Sequence, residues 1–156
     1  IEKYFLFMSK EFSYVACLRH VGIVVKDLEK SLFFWCDILG FMLEKKIEEK
    51  GEYIDLMMGL ENVNVVTAKL SDHNGNLIEL LNFRSHLDND NWLGKPYSTG
   101  LTHIALRVKN LDEILKKLTK FKLIKSNKIV QSPDKKVRVV YAECLEGLLI
   151  EFVEEL

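Results

Sequence analysis

Two histidines and two glutamates occupy matched places in this sequence of 156 residues. His20 opens the apolar run HVGIVV, and His103 opens the run HIALRV. Glu79 lies within LIELL and Glu151 within LLIEFV, where a buried strand should not carry an unpaired charge. Two imidazoles and two carboxylates suit a divalent ion such as Zn, Ni, Co, Mn or Fe, and a bound ion would neutralise both carboxylates. The pattern therefore predicts a metal site with these four ligands.

The matched places belong to an internal repeat. Residues 18–35 (LRHVGIVVKDLEKSLFFW) align with residues 101–118 (LTHIALRVKNLDEILKKL), and residues 75–79 (GNLIE) align with residues 147–151 (GLLIE). Self-similarity of this kind indicates duplicated structural units. If the two units pair about a pseudo-twofold axis, the four ligands meet there and leave coordination positions for water or substrate, as in a catalytic site.

The first unit is predicted over residues 15–83. It begins with a strand over 15–26 that is apolar on both faces, with His20, Gly22 and Val24 on one side. Asp27 is a typical N-cap, and apolar residues at helical spacing predict a helix of about three turns that ends at Gly40. Strand-like runs follow near 41–48, 52–58, 62–70 and 76–83.

The second unit is predicted over residues 101–156 and repeats this order. A strand over 101–109 leads to Asn110 as N-cap and to an amphipathic helix, and strands are expected near 122–130, 136–143 and 147–154. The polar segment 84–100 is the predicted linker, and residues 1–14 form an N-terminal extension. One helix among several strands in each unit predicts an α+β fold, because a doubly wound fold would alternate strand and helix.

Composition excludes several classes of protein. The net charge is −1 with both signs interspersed, so no basic surface for nucleic acid is expected. No apolar run approaches the ~20 residues of a membrane span. Three cysteines, Cys17, Cys36 and Cys144, lie far apart in apolar surroundings, which predicts reduced, buried thiols and a cytoplasmic location. The expected partner is a small-molecule substrate.

Four segments of the chain resemble a known family. The segments HVGIVVKDLEKSLFFWCDILGF, NGNLIELLNF, THIALRVKNLDEIL and EGLLIEFVE are similar to the vicinal oxygen chelate superfamily, also called the glyoxalase/bleomycin resistance/dioxygenase superfamily. The resemblance implies two paired βαβββ modules, each an open half-barrel beside a divalent metal. It places the four ligand positions of glyoxalase I on His20, Glu79, His103 and Glu151. It also implies a homodimer, since such modules tend to close their site across a subunit contact.

The resemblance implies several possible activities. A glyoxalase I-like lyase or isomerase would move a proton through an enediolate that the metal stabilises, with Glu151 or its twin Glu79 as the base. A methylmalonyl-CoA epimerase-like isomerase needs a second base, for which Glu61 is the nearest candidate. Extradiol dioxygenases use two histidines and one glutamate, so a fourth ligand disfavours them. Bleomycin-binding members lack ligands and sequester a small molecule without catalysis.

One position departs from the glyoxalase I pattern. That enzyme carries an arginine four residues after its first ligand, and Val24 stands there in this chain, which argues against glutathione as part of the substrate. Arg107 stands four residues after His103, on the same face of the predicted strand. We expect Arg107 to bind an anionic group of the substrate with its planar fork, the alternative being an ion pair at the end of the strand.

Overall fold

The computed structural model describes residues 15–88, 92 and 95–156, so the predicted extension over 1–14 and part of the predicted linker lie outside the described residues. The first unit forms a four-stranded sheet in the order β1-β4-β3-β2. Its strands are β1 (Val21–Val24), β2 (Met42–Lys50), β3 (Asn64–Ser71) and β4 (Leu77–Phe83). Its helices are α1 (Leu28–Leu32), which continues as a π-helical segment (Phe33–Ile38), and α2 (Glu52–Met58).

The second unit forms a sheet in the order β5-β9-β8-β6, with β7 also paired to β8. Its elements are β5 (His103–Arg107), helix α3 (Leu111–Lys120), β6 (Lys125–Ser126), β7 (Val130–Gln131), β8 (Val137–Glu143), a 3₁₀ turn (Leu145–Gly147) and β9 (Leu149–Glu155). The first strand of each unit lies parallel to the last, and the other pairings are antiparallel. The predicted α+β fold with two open sheets is confirmed.

Both predicted N-caps are confirmed. The carboxylate of Asp27 accepts a hydrogen bond from the backbone N–H of Lys30 at 3.0 Å, and the amide oxygen of Asn110 accepts one from Glu113 at 2.9 Å. Each bond satisfies one of the amides that a helix start leaves unpaired. Gly40 follows the first helix with a φ of 82°, a left-handed conformation that favours glycine.

Two predicted strands are wrong. Residues 52–58 form helix α2, which lies between two glycines of positive φ, Gly51 and Gly59. Ile54 and Met58 stand four residues apart on this helix, and both belong to a small apolar cluster with Val65 and Phe83. Tertiary packing therefore selects a helix from an apolar run that fits either structure. The strand predicted near 122–130 is interrupted, and only the short β6 and β7 pair with β8.

The two units share one hydrophobic core. It contains residues from both sheets, from the first helix with its π-helical continuation and from α3, among them Ile23, Phe34, Trp35, Ile78, Leu80, Leu111, Leu118, Val140, Ile150 and Phe152. The rings of Phe33 and Phe121 meet edge to face with their centroids 5.2 Å apart, which joins the first helix to the end of α3. The helix-covered face of each sheet is therefore turned toward this core.

The cysteines differ in their surroundings. Cys144 is buried, and burial followed by the Glu143 carboxylate raises the pKa of its thiol to about 12. Cys36 is half-buried, and burial raises its pKa as well. Cys17 is exposed, so the prediction that all three thiols are buried is wrong at that position, where β1 has not yet begun. Within the described ranges no helix is both long and apolar enough to span a membrane.

Candidate metal centre

Strand register places the predicted ligands on the outer side of each sheet, which we call the site face. In β4, Ile78 and Leu80 are buried in the shared core, so Glu79 between them points to the opposite face. Glu79 lies directly beside Gly22 of β1. In the second sheet Glu151 alternates in the same way with the buried Ile150 and Phe152 of β9. Both glutamates thus avoid the core and remain accessible to a ligand.

The first His–Glu pair joins the start of β1 to the middle of β4. The Nε2 atom of His20 lies 3.2 Å from the Oε2 atom of Glu79, and the two side chains are 30% and 15% exposed. The other carboxylate oxygen of Glu79 lies 3.5 Å from the ammonium of Lys69 on β3. Each oxygen of this carboxylate therefore has its own positively charged or donating neighbour.

The second His–Glu pair has the same geometry. The Nε2 atom of His103 lies 3.3 Å from the Oε2 atom of Glu151, with the side chains 33% and 24% exposed. The hydroxyl of Thr102 lies 2.9 Å from the Nδ1 atom of His103. A hydrogen bond at Nδ1 orients the ring and leaves Nε2 directed toward the carboxylate.

Tyr141 on β8 adds a phenol to the second pair. Its hydroxyl lies 3.2 Å from the Nε2 atom of His103 and donates to the Oε2 atom of Glu151 at 3.4 Å. Burial, followed by the charge of Glu151, raises the pKa of the phenol, so Tyr141 is a neutral donor at physiological pH. A surface cavity of about 290 Å³ beside it is lined by Tyr141 together with Pro96, Lys125, Ser126, Asn127, Glu143 and Leu149. Tyr141 thus connects the second His–Glu pair to a cavity that is large enough for a small molecule.

The spacing within each pair fits two ligands of one metal ion. Ligand atoms about 2.0–2.1 Å from a tetrahedral ion lie about 3.3 Å apart, and the two pairs measure 3.2 and 3.3 Å. In the described part of the chain no group of three or more His, Cys, Asp or Glu side chains is close enough to hold an ion. The structure therefore brings the four predicted ligands together two by two, with each pair on the site face of its own sheet.

Arg107 lies on the same face as His103, as its place in β5 requires. Its guanidinium forms an ion pair with Glu155, with Nη1 3.1 Å from Oε2, and the two side chains are 67% and 62% exposed. An exposed pair of this kind contributes at most about 1 kcal/mol, so an anionic ligand can compete with Glu155 for the guanidinium. Val24, at the matching place of the first sheet, is 45% exposed on the site face.

The family model that matches this sequence is described as the glyoxalase/bleomycin resistance protein/dioxygenase superfamily, and it covers residues 19–141. The chain belongs to this superfamily. A relative from Synechocystis sp., named a probable lactoylglutathione lyase, is 31% identical to this superfamily member in a 146-residue alignment that covers 88% of this chain and 94% of the relative.

Solved structures agree on the fold of this superfamily member. A glyoxalase family protein from Bacillus cereus superposes with a TM-score of 0.84 at 26% identity and covers 94% of this chain and 98% of its own. The fosfomycin resistance protein FosX from Listeria monocytogenes, solved with Mn(II) and sulfate, gives a TM-score of 0.59 at 16% identity, with 91% and 94% covered. At this low identity, the similarity to FosX shows only that the two proteins share a fold.

Two residues of the site were not predicted from the sequence of this superfamily member. Lys69 lies directly across from Glu79 in the β3–β4 pairing, and Tyr141 lies directly across from Glu151 in the β8–β9 pairing. Each stands ten residues before its glutamate. That equal spacing is visible in the sequence, but it becomes informative only once the two hairpins are known to have the same register.

Proposed function

We propose that this chain is a metal-dependent lyase or isomerase of the glyoxalase I type, acting by proton transfer on a small substrate with two neighbouring oxygens. One observation carries the proposal: His20–Glu79 and His103–Glu151 form two equivalent pairs with metal-ligand spacing. The donor set fits a divalent Zn, Ni, Co, Mn or Fe ion. The relative named a probable lactoylglutathione lyase supports the same class of reaction.

A complete site on this proposal requires two chains. The two sheets of one chain share a core, and both His–Glu pairs lie on the faces directed away from it. The two pairs that form one site must therefore come from two different chains. A twofold homodimer in which the first sheet of one chain faces the second sheet of the other would build two identical four-ligand sites. The dimer is thus part of the proposal, since a two-ligand site would bind metal weakly.

The residues around the site suggest how the proton moves. When bound, the metal ion supplies a Lewis acid that polarises the oxygens of the substrate. Glu151 is the proposed base that removes the proton from carbon and returns it to the neighbouring position. Tyr141 donates to Glu151 and so holds this carboxylate in place before the reaction. Glu79, the alternative base, lies between His20 and the Lys69 ammonium, which restrains it more strongly.

The decisive experiment combines metal analysis with an activity assay. Purified protein is reconstituted separately with Ni, Zn, Co, Mn or Fe, its metal content is measured, and the hemithioacetal of methylglyoxal and glutathione is added while thioester formation is followed. We expect one metal per chain and turnover that His103→Ala abolishes. Metal binding without turnover of this substrate, but with turnover of another 2-oxo or acyl-CoA substrate, would assign a sister reaction.

A non-catalytic binding protein is the second candidate. Val24 favours it, because a half-exposed apolar side chain stands where the glyoxalase I pattern places a substrate-binding arginine. A protein that only sequesters a small molecule needs an apolar surface more than it needs a metal. Elemental analysis separates the two candidates: less than about a tenth of an equivalent of metal after reconstitution would favour sequestration.

A further inference from the structure

One row of side chains crosses the first site face beside the predicted ligands. Strand register places Lys45 of β2 directly opposite Lys69 of β3, Lys69 directly opposite Glu79 of β4, and Glu79 beside Gly22 of β1. Residues that are directly opposite each other in a sheet share a face, with their Cβ atoms about 4.5–5.5 Å apart. Two lysines and one carboxylate therefore lie side by side.

The charges in this row do not balance. The Lys69 ammonium lies 3.5 Å from Glu79, whereas Lys45 has no ion-pair partner among the residues that the structure describes. Two of the three glutamates of β2 are bonded to hydroxyls, because Glu49 accepts from Thr67 at 2.9 Å and Glu44 accepts from Ser71. Like charges directly opposite each other destabilise a sheet, and Glu79 supplies only one negative charge for the two ammonium groups.

The matching row of the second sheet carries no lysine among the residues that the structure describes. There the row runs from Ala105 through Glu151 to Tyr141, so a neutral phenol takes the place of Lys69. The two halves of the site are therefore alike in their ligand pairs and different in the neighbouring charge. A bound divalent ion would be neutralised by Glu79 and Glu151, and Lys45 and Lys69 would then leave the site positive.

We infer that Lys45 and Lys69 form an anion-binding subsite beside the metal, which selects a substrate with a carboxylate, phosphonate or phosphate oxygen next to its metal-binding oxygens. The inference rests on the proposed function for the position of the metal. Once Glu79 shares its charge with the metal, the Lys69 ammonium is available to a second anion, and Lys45 adds its unpaired charge from the next strand. A neutral vicinal-oxygen substrate gains nothing from this subsite.

The test measures anion affinity at fixed ionic strength. Protein loaded with Co(II) is titrated with oxalate as the carboxylate probe and with methylphosphonate as the phosphonate probe, by calorimetry and by the visible spectrum of the cobalt. Lys69→Met should weaken binding by about tenfold and Lys45→Met by about threefold, as expected for the loss of one charged contact. Lys69→Arg should restore most of the affinity. The probe that loses more affinity identifies the class of anion.

The control is Lys46→Met, because Lys46 lies on the same strand, points to the other face and pairs with Glu29 at 2.8 Å. Metal content is measured for each variant, so a loss of cobalt is not mistaken for a loss of anion binding. If Lys69→Met and Lys45→Met bind both probes as Lys46→Met does, within twofold, the subsite is refuted and the proposed function stands. If no variant binds cobalt, the proposed function fails, and the same titrations on the metal-free protein still decide whether the lysines bind anions.

Discussion

Lys69 and Tyr141 occupy equivalent places in the two sheets, each directly across from a predicted metal-binding glutamate. The Lys69 ammonium lies 3.5 Å from Glu79, and the Tyr141 hydroxyl lies 3.4 Å from Glu151. A charged neighbour fixes one glutamate, whereas a long neutral hydrogen bond holds the other less tightly. This difference makes the two halves of a repeated site chemically distinct, and it favours Glu151 as the carboxylate that moves.

Removing the phenol should loosen the second pair. In Tyr141→Phe, Glu151 and His103 lose a shared hydrogen-bonding neighbour while the ring remains, so we expect metal affinity to fall by about tenfold, as is usual when an outer partner of a ligand is lost. Titration with Co(II) measures the change. Tyr97→Phe, an exposed tyrosine of the described linker residues, serves as the control. Equal affinity in both variants would mean that Tyr141 does not orient the ligands.

Mixing complementary variants tests the two-chain site. One variant carries His20→Ala with Glu79→Ala, and the other carries His103→Ala with Glu151→Ala, so neither homodimer has a complete site. After unfolding and refolding together, half of the dimers are mixed and each has one intact site of two, so about a quarter of wild-type metal binding should return. Unmixed variants are the controls. If no metal binding returns in a sample that does form mixed dimers, the site is not built from the first sheet of one chain and the second sheet of the other.

Two variants test whether Arg107 binds the substrate or only forms an ion pair with Glu155. Arg107→Ala should leave metal content unchanged and raise the KM for an anionic substrate by tenfold or more, a change of about 1.4 kcal/mol. Glu155→Gln frees the guanidinium from its exposed partner and should lower that KM or leave it unchanged. Steady-state kinetics with the substrate found by the activity screen measures both. If the KM is unchanged in Arg107→Ala, Arg107 does not bind the substrate and serves only in the ion pair at the end of the strand.

Glu146 predicts a pH dependence of stability. It is half-buried in the turn before β9, where its carboxylate accepts from the backbone N–H of Lys26 at 3.3 Å, and burial raises its pKa. The folded state therefore holds the proton more tightly than the unfolded state, and stability falls as the pH rises from the unfolded pKa, about 4, through the folded one. At pH values above both pKa values, Glu146 is ionised in both states and the burial of its charge destabilises the folded state in full.

Glu146→Gln keeps an acceptor and removes that charge. The free energy of unfolding of the variant, measured in urea, should exceed that of the wild type at neutral pH, and the difference should shrink as the pH falls below about 4. Glu61→Gln, at an exposed position, should show no such trend. A difference that stays constant across this range would show that the loss of charge at Glu146 is not its cause.

Much of the fold, and the match of the four candidate ligands across the repeat, could be predicted from the sequence alone. The repeat identified the two units, Asp27 and Asn110 marked the helix starts, and alternation placed His20, Gly22 and Val24 on one face of the first strand. These features depend on residues close together in the chain, whose spacing fixes a local geometry. The sequence was misleading at residues 52–58, where an apolar run fits a strand and only packing against β3 and β4 makes it a helix.

Only the tertiary structure shows how the two sheets pack and which residues surround the candidate ligands. The sequence aligned the four predicted ligands, but which faces of the two sheets share a core depends on contacts between distant side chains, and these turn the His20 and His103 pairs outward. Strand register decided the rest, because it is set by pairing between strands and not by either strand alone. It places Lys69 across from Glu79, Tyr141 across from Glu151, and Lys45 beside Lys69. The four candidate ligands could thus be identified in the sequence, whereas their neighbours could be identified only in the folded structure.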